Sequence, residues 1–290
     1  MFKGSIVAIV TPFNNGAVDE QKLRELVDFQ ITNGTDAIVA CGTTGESSTL
    51  DNEEHLNVIK IVFDQAKGRV PVIAGTGSNS TAEAITLTRE AKEIGVAGVL
   101  LVTPYYNKPT QEGLYRHYTA IADAVEIPQI LYNVPGRTGV NMLPETVARL
   151  AKHKNIVAIK EATGSLQQAS EIIALCGDQI DVFSGDDFIT FPMMACGAVG
   201  IISVLANIMP KEVADLTDAF FAGDLEKARK IHLETLKIGN AMFMESNPIP
   251  VKTALGLMGK CSEEVRLPLC EMSTGNKAKL EAIMKEYKLI

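Results

Sequence analysis

Short apolar runs rich in β-branched residues recur eight times along this chain, at residues 5–10, 37–41, 71–75, 98–103, 128–132, 156–160, 181–184 and 198–203. They do not alternate apolar with polar residues in the manner of a half-exposed strand. Such runs describe strands covered on both faces, as in a parallel sheet wrapped by helices. The segments between them start and stop like helices. Asp19 precedes 20–33 and Gly34 follows it, Asp51 precedes 52–67 before Gly68, Ser80 precedes 81–94 before Gly95, Thr110 precedes 111–125, and Pro144 opens 145–152. Ser80 and Glu83 have the spacing of a capping box. Eight strands, each followed by a helix, specify a (β/α)8 barrel more readily than an open sheet. A doubly wound sheet would carry a nucleotide fingerprint. Gly75-Thr76-Gly77-Ser78-Asn79-Ser80 lacks its third glycine, and no Walker sequence is present.

After Ser203 the strand signal stops, and 210–222, 225–244 and 276–288 read as helices, with Pro210 and Asp224 at their starts. The chain thus divides into a barrel, 1–209, and a helical region, 210–290, packed on it without a flexible linker. Asn247-Pro248-Ile249-Pro250 reads as a rigid extended connection, because each proline biases its predecessor away from helix. A net charge of −8 without any Lys/Arg cluster argues against a nucleic-acid partner. The N-terminus runs straight into the first strand with no signal-peptide pattern. The longest apolar stretch, 198–206, falls short of the roughly 20 residues that span a bilayer. Five scattered cysteines, none in a C-x-x-C pair, fit reduced thiols in a cytoplasmic protein.

Barrels of this kind keep their chemistry where strands end and loops begin. Lys160 sits at such a point, closing the run Ile156-Val157-Ala158-Ile159. A lysine amine in apolar surroundings is the nucleophile that Schiff-base chemistry on a ketone requires. Alone, it would equally suit a strand-end lysine that snorkels to water or pairs with Glu161. The other strand ends are polar as well. Gly42-Thr43-Thr44-Gly45-Glu46-Ser47, Thr103-Pro104-Tyr105-Tyr106-Asn107 and Tyr132-Asn133-Val134-Pro135-Gly136-Arg137 should face the same mouth. Thr43, Tyr106 and Tyr132 can pass protons through one another, and Arg137 offers a planar fork for a substrate carboxylate. Each has a bland reading as turn, packing or surface ion pair, but their convergence at successive strand ends favours a site.

Metal chemistry has little support in the pattern. His55, His117, His153 and His232 occur singly, without ligand spacing. Asp186-Asp187 reads as a helix N-cap rather than a cation site, and the Gly197 to Gly200 segment as close strand packing rather than a phosphate loop.

Gly42-Thr43-Thr44-Gly45-Glu46, Tyr132-Asn133-Val134-Pro135 and Lys160-Glu161-Ala162-Thr163-Gly164 resemble the signatures of the pyruvate-dependent class I aldolases of the N-acetylneuraminate lyase superfamily. The likeness runs the whole chain, from Gly4-Ser5-Ile6-Val7 through Asn247-Pro248-Ile249-Pro250-Val251-Lys252 to Arg266-Leu267-Pro268, and is nearest to the branch that condenses pyruvate with L-aspartate-4-semialdehyde toward diaminopimelate and lysine. The resemblance implies a lyase without external cofactor, in which Lys160 forms an imine with pyruvate. Tyr132 would relay protons, and Thr43 would link it to a Tyr106 supplied by the neighbouring subunit of a dimer, usually within a homotetramer. Thr44 would hold the pyruvate carboxylate, Arg137 the semialdehyde carboxylate, and Gly185 and Ile202 would line the pocket. In lysine-inhibited members the effector binds at positions matching Ser47, Ser48, Asn52, His55, Asn79, Glu83 and Tyr105. Asn52 departs from the histidine of strongly inhibited enterobacterial-type enzymes, which implies weaker sensitivity. A sister aldolase acting on a sugar-derived 2-keto acid would lack Arg137. A phosphate-binding barrel isomerase would need glycine-rich loops after strands seven and eight, and a non-catalytic lysine sensor would be expected to lose Lys160 or Tyr132.

Overall fold

The computed structural model describes residues 2–290. Eight parallel strands close into a barrel: β1 (Gly4–Ala8), β2 (Ala37–Ala40), β3 (Val72–Gly75), β4 (Gly98–Val102), β5 (Gln129–Asn133), β6 (Ile156–Glu161), β7 (Asp181–Ser184) and β8 (Gly200–Ser203). Each pairs with its sequence neighbours, and β1 closes the ring by pairing with both β8 and β2. The helices that follow the strands are α1 (Glu20–Thr32), α2 (Asn52–Ala66), α3 (Thr81–Ile94), α4 (Gln111–Ala124), α5 (Pro144–Leu150), α6 (Leu166–Cys176), α7 (Thr190–Ala195) and α8 (Pro210–Phe221). The last of these packs against β1. Three more complete the chain: α9 (Leu225–Ala241), α10 (Ile249–Leu257) and α11 (Thr274–Glu286). A two-stranded hairpin, Phe13–Asn14 with Ala17–Val18, covers part of the loop after β1.

Strand residues divide by parity. Ile6, Ala8, Val39, Ile73, Leu100, Ile130, Ala158, Phe183 and Ile202 fill the barrel interior, whereas Val7, Ile38, Leu101, Leu131 and Ile159 belong to the larger core shared with the helices. Double coverage explains why the strands read as unbroken apolar runs. Close packing at the β1–β8 seam requires a glycine at 200. It has a φ of +150°, and an added Cβ would come within 2.1 Å of the Gly4 carbonyl oxygen.

Caps predicted from sequence are made by Asp19, Asp51, Ser80, Thr110 and Asp224, each accepting from a first-turn N–H. Two local expectations are corrected. Glu83 does not close a box with Ser80; its carboxylate accepts from Ser78 Oγ at 2.6 Å, and the Ser80 N–H turns to Ser78 Oγ instead. The complete box belongs to Asp51 and Glu54. The stretch after Asn247 is not an extended connection either, because Ile249 starts α10 and Pro250 lies in its first turn. There a missing N–H costs nothing, since first-turn donors have no partner within the helix.

Candidate active site

Lys160 stands at the C-terminal end of β6, in register with Tyr132 of β5 and Phe183 of β7. Two residues beyond inward-facing Ala158, it points into the barrel mouth, and only 5% of its surface is exposed. Its ammonium lies 4.3 Å from the centroid of the Tyr132 ring. Among the described residues it has neither an ion-pair nor a hydrogen-bond partner. Pairing with Glu161, the plainer reading of the sequence, is ruled out by strand parity. Glu161 points outward, where its carboxylate accepts from Asn133 Nδ2 at 3.0 Å, the Thr163 N–H at 2.9 Å and Gln168 Nε2 at 3.3 Å.

Two half-buried carboxylates lie near enough to Lys160 to feel its charge. Burial pushes Asp186 up to about 6, with the lysine charge pulling it partly back. Asp187 is also raised by burial, against the hydrogen bonds it accepts from Ser203 Oγ and the N–H groups of Val204 and Leu205. The expected helix cap is therefore corrected. These aspartates do cap main-chain N–H groups, but on the loops after β6 and β8, with Asp186 accepting from the Gly164 N–H. Neighbouring strand ends converge here and offer more open donors than their own short helix.

The loop after β2 is gripped from several sides. Thr11 Oγ1 donates to the Gly45 carbonyl, and Glu46, in the left-handed region at φ +54°, accepts from Lys252 Nζ at 2.7 Å and from the Arg266 N–H at 3.0 Å. Both Glu46 and Lys252 are buried, so each would be costly without the other. Thr44 is buried and its hydroxyl accepts from Asn247 Nδ2 at 3.0 Å. After β5, Pro135 opens a single helical turn, Pro135–Thr138, that Gly139 ends. That turn carries Arg137, whose Nη2 donates to the Asn247 carbonyl at 3.0 Å.

A cavity of about 390 Å³ joins the two groups of candidate residues. Thr43, Tyr132 and Arg137 line it together with Ser47, Ser48, Asn52, His55, Glu83 and Tyr105. Lys160, Thr44, Gly185 and Ile202 are not in its wall, although Lys160 packs against Tyr132, which is. Gly185 has a packing reason to be glycine, since a Cβ would come within 2.5 Å of Ala162 Cβ. Asn79 stands outside the cavity, donating to the Tyr105 carbonyl and accepting from Asn107 through its own. His55 is held by the Gly75 carbonyl at 2.7 Å, and burial lowers its affinity for a proton. Tyr106 does not join the hydroxyls of its own chain. It is 90% exposed, with a φ of +73°.

A family model described as the Dihydrodipicolinate synthetase family matches residues 1–287. The chain belongs to that family. Over all 290 residues of both chains it is 91% identical to the 4-hydroxy-tetrahydrodipicolinate synthase of Trichlorobacter lovleyi. It is 49% identical to dihydrodipicolinate synthase from Acinetobacter baumannii, solved as a complex with pyruvate, with a TM-score of 0.98 and full coverage of both chains. The lysine-bound enzyme of Cyanidioschyzon merolae is 40% identical, with a TM-score of 0.96, 100% of this chain covered and 99% of that one. Membership makes the protein a lyase of the class I aldolase type, whose family chemistry runs through a lysine–pyruvate Schiff base without an external cofactor.

Sequence reasoning left two members of the mouth without a role. Asn247 is central to it, and the proline-rich segment drew attention to itself only as a connector. Lys252 is fully buried beside Glu46, and a lone lysine inside an apolar helix, Ile249–Leu257, was the available signal.

Proposed function

We propose that this protein condenses pyruvate with L-aspartate-4-semialdehyde, committing carbon to diaminopimelate and lysine, through an imine on Lys160. The observation that carries the residue assignment is the unpartnered, nearly buried Lys160 ammonium against the Tyr132 ring. Once deprotonated, the amine adds to the pyruvate ketone, and loss of water from the carbinolamine gives the imine. Removing a methyl proton then yields an enamine, whose carbon attacks the semialdehyde. Tyr132 carries protons in these steps with Thr43, a reading supported by their both lining one cavity.

Thr44 takes the pyruvate carboxylate and Arg137 that of the semialdehyde, while Gly185 and Ile202 shape the pocket. Tyr106 completes the proton relay in a neighbouring subunit, and its exposure at the rim supports this reading. The assembly is then at least a dimer and, by family likeness, a homotetramer in the cytoplasm. No described helix is long and apolar enough to cross a membrane.

L-Lysine binds as feedback inhibitor among Ser47, Ser48, Asn52, His55, Asn79, Glu83 and Tyr105. The shared cavity gives it a short route to Tyr132 and Arg137. Glu83, with no capping duty for its carboxylate, faces that cavity and suits the effector's α-ammonium. Titration should give partial inhibition that Glu83→Ala abolishes; full activity at saturating lysine would remove the regulatory assignment.

One assay tests the whole reading. Turnover with pyruvate plus L-aspartate-4-semialdehyde, and none with pyruvate plus N-acetylmannosamine, is expected; the reverse would place the protein among the sugar-acid aldolases.

A further inference from the structure

We propose that Asn247 is a positioning residue that presets both carboxylate-binding groups of the site, an inference resting on the roles given above to Thr44 and Arg137. Asn247 reaches the barrel mouth from the C-terminal helical region and is 5% exposed. Its two polar ends serve two elements far away in sequence. Nδ2 donates to Thr44 Oγ1 at 3.0 Å, and the main-chain carbonyl accepts from Arg137 Nη2 at 3.0 Å.

The consequence follows from what each bond occupies. A hydroxyl has one proton and two lone pairs. With a lone pair of Thr44 taken by the Asn247 amide, its proton is turned elsewhere and remains available to an anion. A guanidinium has five N–H donors in a rigid fork. Tying one to the Asn247 carbonyl restrains a long side chain before ligand arrives, which lowers the ordering cost of binding. The frame is stiff as well, because Lys252 on α10 is locked to Glu46 of the same loop that carries Thr44.

One further observation fits positioning better than packing. The Asn247 carboxamide oxygen is buried without a partner. Most buried amide groups are paired at both ends, so an unmet oxygen calls for a reason beyond packing. Here one end stays unmet while the donor end and the main chain are committed to Thr44 and Arg137.

Asn247→Ala, Asn247→Asp, Thr44→Val and the Asn247→Ala/Thr44→Val pair decide the matter, each measured for both Michaelis constants, kcat and thermal midpoint. Asn247→Ala removes the Thr44 bond and keeps the main-chain carbonyl, so the pyruvate KM should rise about tenfold while the semialdehyde KM stays within about threefold. Asn247→Asp can only accept, which draws the Thr44 proton onto itself and adds a repelling charge; the pyruvate KM should rise further, by about a hundredfold. In the Thr44→Val background, Asn247→Ala should add nothing to the pyruvate KM. Equal rises in both constants, full additivity in the double variant, or an unchanged pyruvate KM would each overturn the proposal. Should Asn247→Ala misfold, the near-isosteric Asn247→Asp carries the same split. Wild-type turnover of the substrate pair, run alongside, tests the underlying assignment separately.

Discussion

The two faces of the β5–β6 strand ends make opposite use of polar atoms. Inside the barrel, Tyr132 and Lys160 sit side by side with no hydrogen bond between them, and the ammonium rests against the aromatic ring with Asp186 and Asp187 near enough only to feel its charge. One residue further along each strand, Asn133 and Glu161 point outward and are bound to one another. Gln168 and Asn141 extend that network, and Asn133 Oδ1 accepts from the Met142 N–H. Satisfied polar groups fix the strand ends from behind; unsatisfied ones in front are left for substrate. Pre-organisation of this kind needs both, because a catalytic side chain is only as well placed as the backbone beneath it.

The sharpest way to break this contrast is from the inside. Tyr132→Phe keeps the ring beside Lys160 and removes only the hydroxyl, so turnover should fall by about 10²-fold or more while pyruvate still forms its imine. An unaltered rate would mean that protons move by another route. Arg137→Ala should weaken the semialdehyde by about 1.5–3 kcal/mol, the worth of a charge-assisted contact, and leave the pyruvate constant nearly normal. Equal damage to both would make Arg137 a structural residue, tied only to Asn247.

From the outside, Glu161→Ala removes the acceptor of the Thr163 N–H and one of the acceptors shared by Asn133 Nδ2 and Gln168 Nε2, and should cost about 2 kcal/mol of stability in chemical denaturation. Burial alone raises the Glu161 carboxyl, and the hydrogen bonds oppose that rise, so Glu161→Gln should be milder. If both variants are as stable as the wild type, the rear network does not hold the strand ends.

The smallest effect concerns pH. Asp186 titrates near 6 in the folded protein against an ordinary 3.8, so between those values the folded state keeps a proton that the unfolded chain has released. Its contribution to stability is therefore greatest in acid and falls as pH rises through that window. Asp186→Asn should flatten the fall of thermal midpoint between pH 4 and pH 6 relative to wild type. An identical slope in the two proteins would show that the proton is not held there.

The contrast also marks what the sequence revealed. The eight strands were legible because double coverage leaves no polar side for alternation to report, and Asp181–Ser184 matches its expected bounds at both ends. Helix caps were legible because a cap depends on a few adjacent residues. Glu83 misled, since Ser78 is an equally near partner and only the loop's shape decides between them. The α10 helix was hidden by Pro248 and Pro250, which forbid a helix interior but suit its first turn. Lys160, Tyr132 and Arg137 could be placed at one mouth because strand order fixes where strands end. Asn247 could not, because its partners Thr44 and Arg137 come from loops whose approach is a tertiary fact. For the same reason residue types and spacing did not separate Tyr106 from its own chain's relay, and only the family resemblance implied that separation.

The central claim is that the unpartnered amine of Lys160 is the group that captures pyruvate. Borohydride reduction of the wild-type protein with pyruvate, followed by peptide mass mapping, tests it directly. One reduced pyruvate adduct per chain, on the peptide bearing Lys160 and absent from Lys160→Ala, is the expected result. An adduct on another lysine, or none at all, would contradict it.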